Sequence, residues 1–286
     1  MSTAVQSCPL DPCPQLSADK LRVAELQDEA KLAGAVYDDP EARKLPEGYS
    51  EIRKEKELNE MGLSMKDLEP EDSGFRAAVF KKKDGKVVVA FKGTTMTSLE
   101  DWKNNAAQEL KGKSDYYTRA QAISYELMES KVDNVSFTGH SLGGGLASAA
   151  ARRSGKSAST FNAAGLNPKT LEDRPGGGHI DRVYVKGDIV TSIQIGPASK
   201  AASDKDWAID PPKGIGARVK RALATGVGKL VGGWLGGFAG PIGAKVGSAG
   251  GGAAARGVML HLMDSVDDSL QQKMESLQKE HSEKCG

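Results

Sequence analysis

The sequence predicts an α/β fold with a mostly parallel central sheet. Three observations support this prediction: strand-like runs alternate with helix-like stretches, the clearest run is apolar throughout, and an Asp-Gly turn separates two β-rich segments. The apolar run, Val87–Phe91, is typical of a central strand that is covered on both faces. At 286 residues the chain is long enough to bury a sizeable core, as one large domain or two small ones.

The elements follow in order along the chain. The first is an amphipathic helix predicted over 17–38, with Ser17 as its candidate N-cap. A hairpin comes next, in which Arg76–Lys81 and Lys86–Lys92 flank a turn that contains Asp84–Gly85. Further strands are predicted at Val135–Thr138, Thr160–Asn162 and Arg182–Val185, and helices at about 115–131 and 142–154.

A Gly-rich cationic insert follows these elements. Residues 214–257 contain 15 of the 34 glycines, and residues 211–263 contain seven Lys or Arg and no Asp or Glu. The uncharged stretch Leu230–Ala244 has 15 residues, fewer than the ~20 that span a bilayer as one helix, which favours an interfacial element or a hairpin. Apolar residues from Leu260 to Leu277, spaced three and four apart, then predict a closing amphipathic helix.

These segments predict one domain over 17–286, which includes the insert at 211–257. A Pro- and Cys-containing segment at 1–16 precedes this domain. The N-terminus lacks the basic start and the apolar run of a secretory signal peptide. We therefore expect the chain either to stay in the cytosol or to be exported by another route.

Charge and cysteine content exclude several classes of function. Lys plus Arg number 39 against 38 for Asp plus Glu, so no global charge favours a nucleic-acid partner. The three cysteines lie near the chain ends and cannot make a disulfide framework, so we expect that at most Cys8 and Cys13 pair and that Cys285 stays free. No metal-ligand set such as H-E-x-x-H is present, so we expect no metal and no cofactor.

The motif with the most specific chemistry is G-x-S-x-G at Gly139–Gly143, where a predicted strand meets a predicted helix. Such a serine lies on a sharp, strained turn that exposes its hydroxyl, which makes Ser141 a candidate nucleophile. Small residues on both sides of the serine let the strand and the helix approach closely. His140 adjoins the nucleophile and is expected to point elsewhere.

A serine nucleophile needs a base and an acid that orients the base, and hydrolases with this turn supply them in the order Ser, Asp or Glu, His. Asp188 follows a predicted strand, where loops of α/β sheets hold functional groups, and is the candidate acid. His179 precedes Asp188, and His281 lies in a charged tail. His261 is therefore the candidate base, although a lone histidine more often has a structural role.

The chain resembles the class 3, or fungal-type, lipases of the α/β-hydrolase fold, and especially their bacterial members. The resemblance covers most of residues 20–210 and resumes near His261. It is carried by the segments Ala35–Asp38, Leu45–Tyr49, Val88–Thr95, Asp101–Trp102, Thr138–Gly144, Phe161–Gly165 and Gly187–Val190. Several such segments in the order of the family are hard to obtain by chance.

The resemblance implies an oxyanion hole made by Thr94, through its backbone N–H and side chain, together with the backbone N–H of Leu142. The chain departs from the family pattern because about six residues separate Thr95 from Trp102, which leaves no room for the lid helix of the family. We therefore hypothesise that the Gly-rich insert acts as lid and membrane anchor. On this hypothesis, deletion of 226–252 reduces hydrolysis of bilayer lipid far more than that of a soluble ester.

The function predicted is that of a serine hydrolase of lipid carboxyl esters, with an A-type phospholipase acting on membrane glycerophospholipid ahead of a triacylglycerol lipase. Gly-zipper inserts in small lipase domains resemble antibacterial phospholipase effectors exported by type VI secretion, which implies a cognate immunity protein and a component of the secretion machine as partners. Two alternatives remain. One is a membrane-permeabilising protein that acts through the insert, and the other is a cytosolic esterase or thioesterase.

Overall fold

The computed structural model describes residues 12–93, 115–130, 132–171, 177–192, 194, 200–224 and 251–286. Within them, one seven-stranded sheet has its strands in chain order. The strands are Tyr49–Ile52 (β1), Ala77–Lys82 (β2), Val87–Phe91 (β3), Val135–His140 (β4), Ser157–Phe161 (β5), Ile180–Val185 (β6) and Lys205–Ile209 (β7). β1, β2 and β3 pair antiparallel, and β3 to β7 pair parallel, so the prediction of a mostly parallel sheet is confirmed.

Helices precede, separate and follow these strands. They are Cys13–Ala35 (α1), Glu55–Asn59 (α2), Met65–Leu68 (α3), Asp115–Glu129 (α4), Leu142–Ser154 (α5), Ile189–Ser192 (α6), Ile215–Ala224 (α7), Gly251–His261 (α8) and Met263–Cys285 (α9). Among the described residues no helix combines the length and the apolar character needed to cross a bilayer. This alternation of strand and helix is the α/β-hydrolase architecture that the sequence predicts.

Helices cover both faces of the central strands. Every residue of β3 and β4 is buried, as expected for continuous apolar strands. On one face α4 and α5 pack against β2, β3 and β4, with Phe91 and Phe137 stacked in the core at 6.1 Å between ring centroids. On the other face α1, α8 and α9 pack over β5, β6 and β7. The central strands therefore lie between two layers of helices.

The two edge strands were not predicted. In β1 one side chain of four is buried, and in β7 two of five. Such short, half-exposed segments lack the apolar run on which the other strand predictions rest. The predicted hairpin, by contrast, is confirmed, since β2 and β3 pair antiparallel around Asp84–Gly85.

α1 begins earlier than predicted and lies antiparallel to α9. The helix starts at Cys13, after Pro12 as N-cap, because a proline in the first turn loses no intrahelical hydrogen bond. Ser17 is thus an internal residue and not the N-cap, and its hydroxyl contacts His281 of α9. Further along, Gln27 of α1 donates to the side chain of Gln271.

This antiparallel packing corrects the prediction for the cysteines. Cys13 and Cys285 form a disulfide across 272 residues of sequence, with their Cα atoms 5.7 Å apart. The prediction that at most Cys8 and Cys13 pair is therefore wrong. Positions near opposite ends of a chain meet whenever the first and last helices pack antiparallel, which sequence spacing does not reveal.

The closing helix is interrupted once. The apolar spacing from Leu260 to Leu277 predicts one helix, but α8 ends at His261 and α9 begins at Met263. Leu262 between them is extended, with φ −66° and ψ 148°. Of the insert at 211–257, residues 225–250 lie outside the described residues, and the flanking parts contain α7 and the start of α8.

Candidate active site

The turn between β4 and α5 carries Ser141 at φ 57° and ψ −124°, a left-handed φ that few non-glycine residues adopt. A Cβ atom on Gly139 would lie 2.2 Å from the Gly143 carbonyl oxygen, and one on Gly143 would lie 2.0 Å from that of Phe91. Only glycine fits at either position, which confirms that the G-x-S-x-G spacing serves close packing of strand and helix.

Backbone hydrogen bonds anchor this turn to the neighbouring strand. The Ser141 N–H donates to the Phe161 carbonyl at 3.0 Å, and the Ala164 N–H donates to the Ser141 carbonyl at 2.8 Å. Ser141 is 5% exposed. The hydroxyl is therefore held at the carboxyl ends of two adjacent parallel strands, where α/β folds place their ligand sites.

Asp188 follows β6 after a tight turn and is fully buried. One carboxylate oxygen, Oδ2, accepts the Thr191 N–H at 2.7 Å, and the other, Oδ1, lies 2.7 Å from His261 Nδ1. Burial raises the pKa of this carboxyl, but the His261 imidazole and the Thr191 hydrogen bond outweigh it and lower the pKa below its ordinary value. The group is a carboxylate at neutral pH.

His261 connects the acid to the hydroxyl. It is the last residue of α8 and is 2% exposed. Its Nε2 lies 2.9 Å from Ser141 Oγ, opposite the contact of Nδ1 with Asp188. Because a carboxylate only accepts hydrogen bonds, Nδ1 carries the proton and Nε2 faces the serine hydroxyl as an acceptor. The structure thus brings the three candidate residues into one hydrogen-bonded chain that can activate the hydroxyl.

The other candidate residues fall in different places. Leu142 is the first residue of α5, and its backbone N–H belongs to the helix N-terminus, where no residue four positions earlier in the helix accepts it. Thr94 lies outside the described residues. His179 is far more exposed and faces Asp181, while His281 contacts Ser17, so neither joins the site.

His140 was expected to point elsewhere, but its imidazole lies against His261. The two ring centroids are 4.7 Å apart, and His140 Nε2 contacts the backbone carbonyl of His261. Asn162, at the end of a predicted strand, contacts the same carbonyl. Two sequence signals could have indicated these residues: His140 stands next to Ser141, and Asn162 lies in the Phe161–Gly165 segment.

In the part of the chain that the structure describes, no group of three or more His, Cys, Asp or Glu side chains is placed to hold a metal ion. The hydrogen-bonded chain of serine, histidine and carboxylate is the arrangement used for nucleophilic acyl transfer, in which the hydroxyl attacks and the imidazole carries the proton.

Comparison with known proteins assigns the chain to a family. Residues 28–235 match the family of phospholipase-like proteins described as the Tle-like phospholipase domain. The extracellular phospholipase A1 of Serratia liquefaciens is 35% identical over 144 residues, which cover 46% of this chain and 44% of that protein. The chain therefore spans less than half the length of this relative.

Two fungal lipase structures are also similar to the chain. A triacylglycerol lipase from Penicillium expansum aligns with a TM-score of 0.38 at 18% identity, over 68% of this chain and 80% of its own. A fungal lipase in complex with an inhibitor aligns with a TM-score of 0.44 at 15% identity, over 66% and 80% of the two chains.

Proposed function

Since this chain belongs to the family of Tle-like phospholipase domains, we propose that it hydrolyses acyl esters of membrane glycerophospholipids. The observation that carries the proposal is the hydrogen-bonded chain from Asp188 through His261 to Ser141. This arrangement supports an acyl-enzyme mechanism that uses only groups of the protein and water.

In the first half of the reaction, Ser141 Oγ attacks the carbonyl carbon of the ester while His261 Nε2 takes the hydroxyl proton. Asp188 stabilises the imidazolium that forms. The tetrahedral intermediate then breaks its bond to the glycerol oxygen, which takes the proton from Nε2 and leaves as lysophospholipid. The acyl group remains as an ester on Ser141.

In the second half, water attacks the acyl-serine carbonyl and His261 takes a proton from the water. The intermediate breaks its bond to Ser141 Oγ, the serine recovers its proton from Nε2, and a fatty acid leaves. Both intermediates carry an oxyanion, for which we propose the N–H of Leu142 and the N–H and hydroxyl of Thr94 as donors. Such a donor is worth about 3 kcal/mol.

We propose the sn-1 ester as the bond cleaved. The Serratia relative is named a phospholipase A1, which is an activity at that position. Vesicles of a phospholipid with two different acyl chains test this, since mass spectrometry separates the two lysophospholipid products. Release of the sn-2 acyl chain alone contradicts the proposed position of cleavage but still supports the proposed ester hydrolysis.

Fatty-acid release from phospholipid vesicles by wild type and Ser141→Ala tests the activity itself. We expect a loss of about 10⁴-fold or more, because the other groups act through the serine. Ser154→Ala is the matched control, since its hydroxyl lies at the far end of the same helix, where it donates to the Ala150 carbonyl and accepts the Lys156 N–H. Equal vesicle leakage by wild type and Ser141→Ala, without fatty-acid release, favours the membrane-permeabilising alternative.

We further propose that the protein acts outside the cytosol, as an exported antibacterial effector. The disulfide between Cys13 and Cys285 supports this, because disulfides persist in oxidising compartments, and the Serratia relative is named extracellular. Directing wild type and Ser141→Ala to the periplasm of a bacterial host is the test. We expect growth arrest with the wild type alone, and growth arrest from the cytosol instead contradicts the proposal.

For residues 225–250 we propose the role of lid and membrane anchor. Replacing 226–249 by a short Gly-Ser linker leaves α7 and α8 intact. We expect hydrolysis of vesicle lipid to fall far more than hydrolysis of a soluble short-chain ester. Equal loss on both substrates contradicts this role, and retained activity on soluble thioesters without vesicle binding favours the esterase alternative.

A further inference from the structure

His261 lies at a junction between two helices, and its backbone carbonyl accepts hydrogen bonds from side chains of the sheet. α8 ends at His261, Leu262 is extended, and α9 begins at Met263. The last four carbonyls of a helix have no N–H four residues ahead. Because His261 is buried, its carbonyl must find donors among neighbouring groups.

Two side chains supply these donors, and we call His140 and Asn162 the His261 clamp. His140 ends β4 and places Nε2 2.6 Å from the His261 carbonyl oxygen. Asn162 directly follows β5, with a left-handed φ of 44°, and its Nδ2 donates to the same oxygen at 3.2 Å and to the Leu260 carbonyl at 2.9 Å. Asn162 Oδ1 accepts the Val185 N–H at 3.0 Å, which ties the clamp to β6.

The contacts fix the proton positions on His140. A carbonyl only accepts, so Nε2 carries a proton, and Nδ1 accepts from the Tyr37 hydroxyl at 3.2 Å. Burial raises the pKa of Tyr37, so the hydroxyl keeps its proton, and the Gly93 backbone N–H faces its oxygen. A chain of hydrogen bonds therefore runs from the end of β3, through Tyr37 and His140, to the backbone of His261.

His140 is also kept uncharged. Burial and the neighbouring His261 lower its pKa to about 3, against the opposing effects of the His261 carbonyl and Asp188. The rings of His140 and His261 are tilted at 41° with centroids 4.7 Å apart. A charged His140 would oppose formation of the imidazolium on His261, whereas the neutral ring donates a hydrogen bond without that repulsion.

We propose that the His261 clamp is a positioning device for the reaction: His140 and Asn162 hold the main chain of His261 so that Nε2 stays in line with Ser141 Oγ. Both clamp residues act through His261 and exchange no proton with the substrate. The kinetic part of this inference rests on the proposed function, but the positioning of the imidazole can be measured without any substrate.

His140→Leu tests the proposal, because leucine fills the buried site and removes the donor. With a soluble short-chain ester we expect kcat per folded molecule to fall about 100-fold while KM stays within about twofold, as for a misplaced catalytic group. His140→Gln, whose amide N–H can replace Nε2–H, should have a kcat at least about tenfold higher than that of His140→Leu. His179→Leu, at an exposed histidine outside the site, should leave kcat unchanged.

A second readout follows the imidazole directly. The proton that His261 Nδ1 donates to Asp188 gives a far-downfield proton NMR signal, which His261→Ala identifies by its loss. In His140→Leu we expect this signal to broaden or shift, and in His179→Leu to stay unchanged. If the wild type hydrolyses no ester, the proposed function is wrong. The NMR signal alone then tests whether the His261 clamp positions the imidazole.

An unchanged kcat together with an unchanged downfield signal in His140→Leu overturns the proposal. A lower melting temperature of His140→Leu with an unchanged kcat per folded molecule also overturns the proposal, because a purely structural role gives that result. If His140→Leu does not fold, Tyr37→Phe replaces it, because it removes only the hydroxyl that fixes the His140 proton. We then expect a severalfold lower kcat at constant KM, and no change in either readout overturns the proposal.

Discussion

At the scale of single residues, the turn around Ser141 depends on two glycines as much as on the serine. We expect Gly143→Ala to destabilise the protein by about 3 kcal/mol or more. The added Cβ would lie 2.0 Å from the Phe91 carbonyl oxygen, and the backbone cannot move away from it without disturbing the strand. Chemical denaturation measures this.

Gly216→Ala is the matched control. A Cβ there meets nothing within 4 Å, and the residue is the second of α7. Alanine is more stable than glycine by roughly 0.5–1 kcal/mol in a helix interior and by less in the first turn, so this variant should not be destabilised. Equal destabilisation of both variants would contradict the steric argument.

Asp188→Asn removes the charge that orients and supports His261. An asparagine presents either an amide oxygen or an amide N–H to Nδ1, and it cannot stabilise the imidazolium. We expect kcat to fall by about 10³–10⁴-fold, as in other serine hydrolases with this substitution, with the fluorescence spectrum of the folded protein retained. Loss of less than tenfold would show that Asp188 is not the orienting acid.

The same substitution changes how stability depends on pH. The pKa of Asp188 is lower in the folded protein than in the unfolded chain, so its contribution to stability is present above the unfolded value of about 3.9 and is lost as pH falls through the folded value. The stability difference between wild type and Asp188→Asn should therefore be largest near neutral pH and shrink below about pH 4. Urea titrations at several pH values measure it.

The three candidate residues that form one hydrogen-bonded chain could be identified from the sequence, because local signals mark each of them. Ser141 stands in a motif, while chain order and a strand end select Asp188 and His261. The clamp could not be predicted, because its donors meet a backbone carbonyl, and no residue type marks which carbonyl of a helix end accepts a distant side chain. That contact exists only once β4, β5 and α8 are packed together.

At the scale of elements, α9 contains a carboxyl, that of Asp267, whose ionised form destabilises the folded protein. Burial, with the nearby Asp264 and Asp268, raises the pKa of Asp267 to about 6, although Lys31 of α1 acts against it. Because the folded pKa exceeds the unfolded value, the ionised group destabilises the protein above pH 6, and the penalty disappears as pH falls toward 4.

Asp267→Asn should remove that penalty. We expect a stability gain of about 0.5–2 kcal/mol at pH 7.5 and almost none at pH 4.5, measured by thermal melts at both pH values. Asp264→Asn, one turn earlier on the same helix, is the comparison, since it removes only the neighbouring charge. A gain that is equal at the two pH values would contradict the titration of Asp267.

Elements with a strong periodicity could be predicted, and those whose limits depend on packing could not. The hairpin and the helices α4 and α5 follow from their own residues. The start of α1 at Cys13 precedes Ser17, the N-cap that the sequence favours, and the apolar spacing of the closing helix continues through the break at Leu262. The break matters for the site, because it leaves His261 at a helix end and not within a helix.

At the scale of the whole molecule, the disulfide joins the first described helix to the last. Cys13→Ser or Cys285→Ser should each lower stability by about 2–4 kcal/mol, the usual contribution of a bridge that closes a long loop. Reduction of the wild type should give the same melting temperature as either variant. If both variants melt like the oxidised wild type, the bridge adds no stability, and its role in holding α9 beside α1 is excluded.

The bridge also closes residues 13–285 into a covalent ring. A protease that cuts one peptide bond anywhere in this ring opens it without releasing a fragment. Nicked molecules therefore migrate as a single species on a gel until a reducing agent is added, when two pieces separate. After one such cut Ser141 and His261 stay on the same covalent body, even when the cut falls between them.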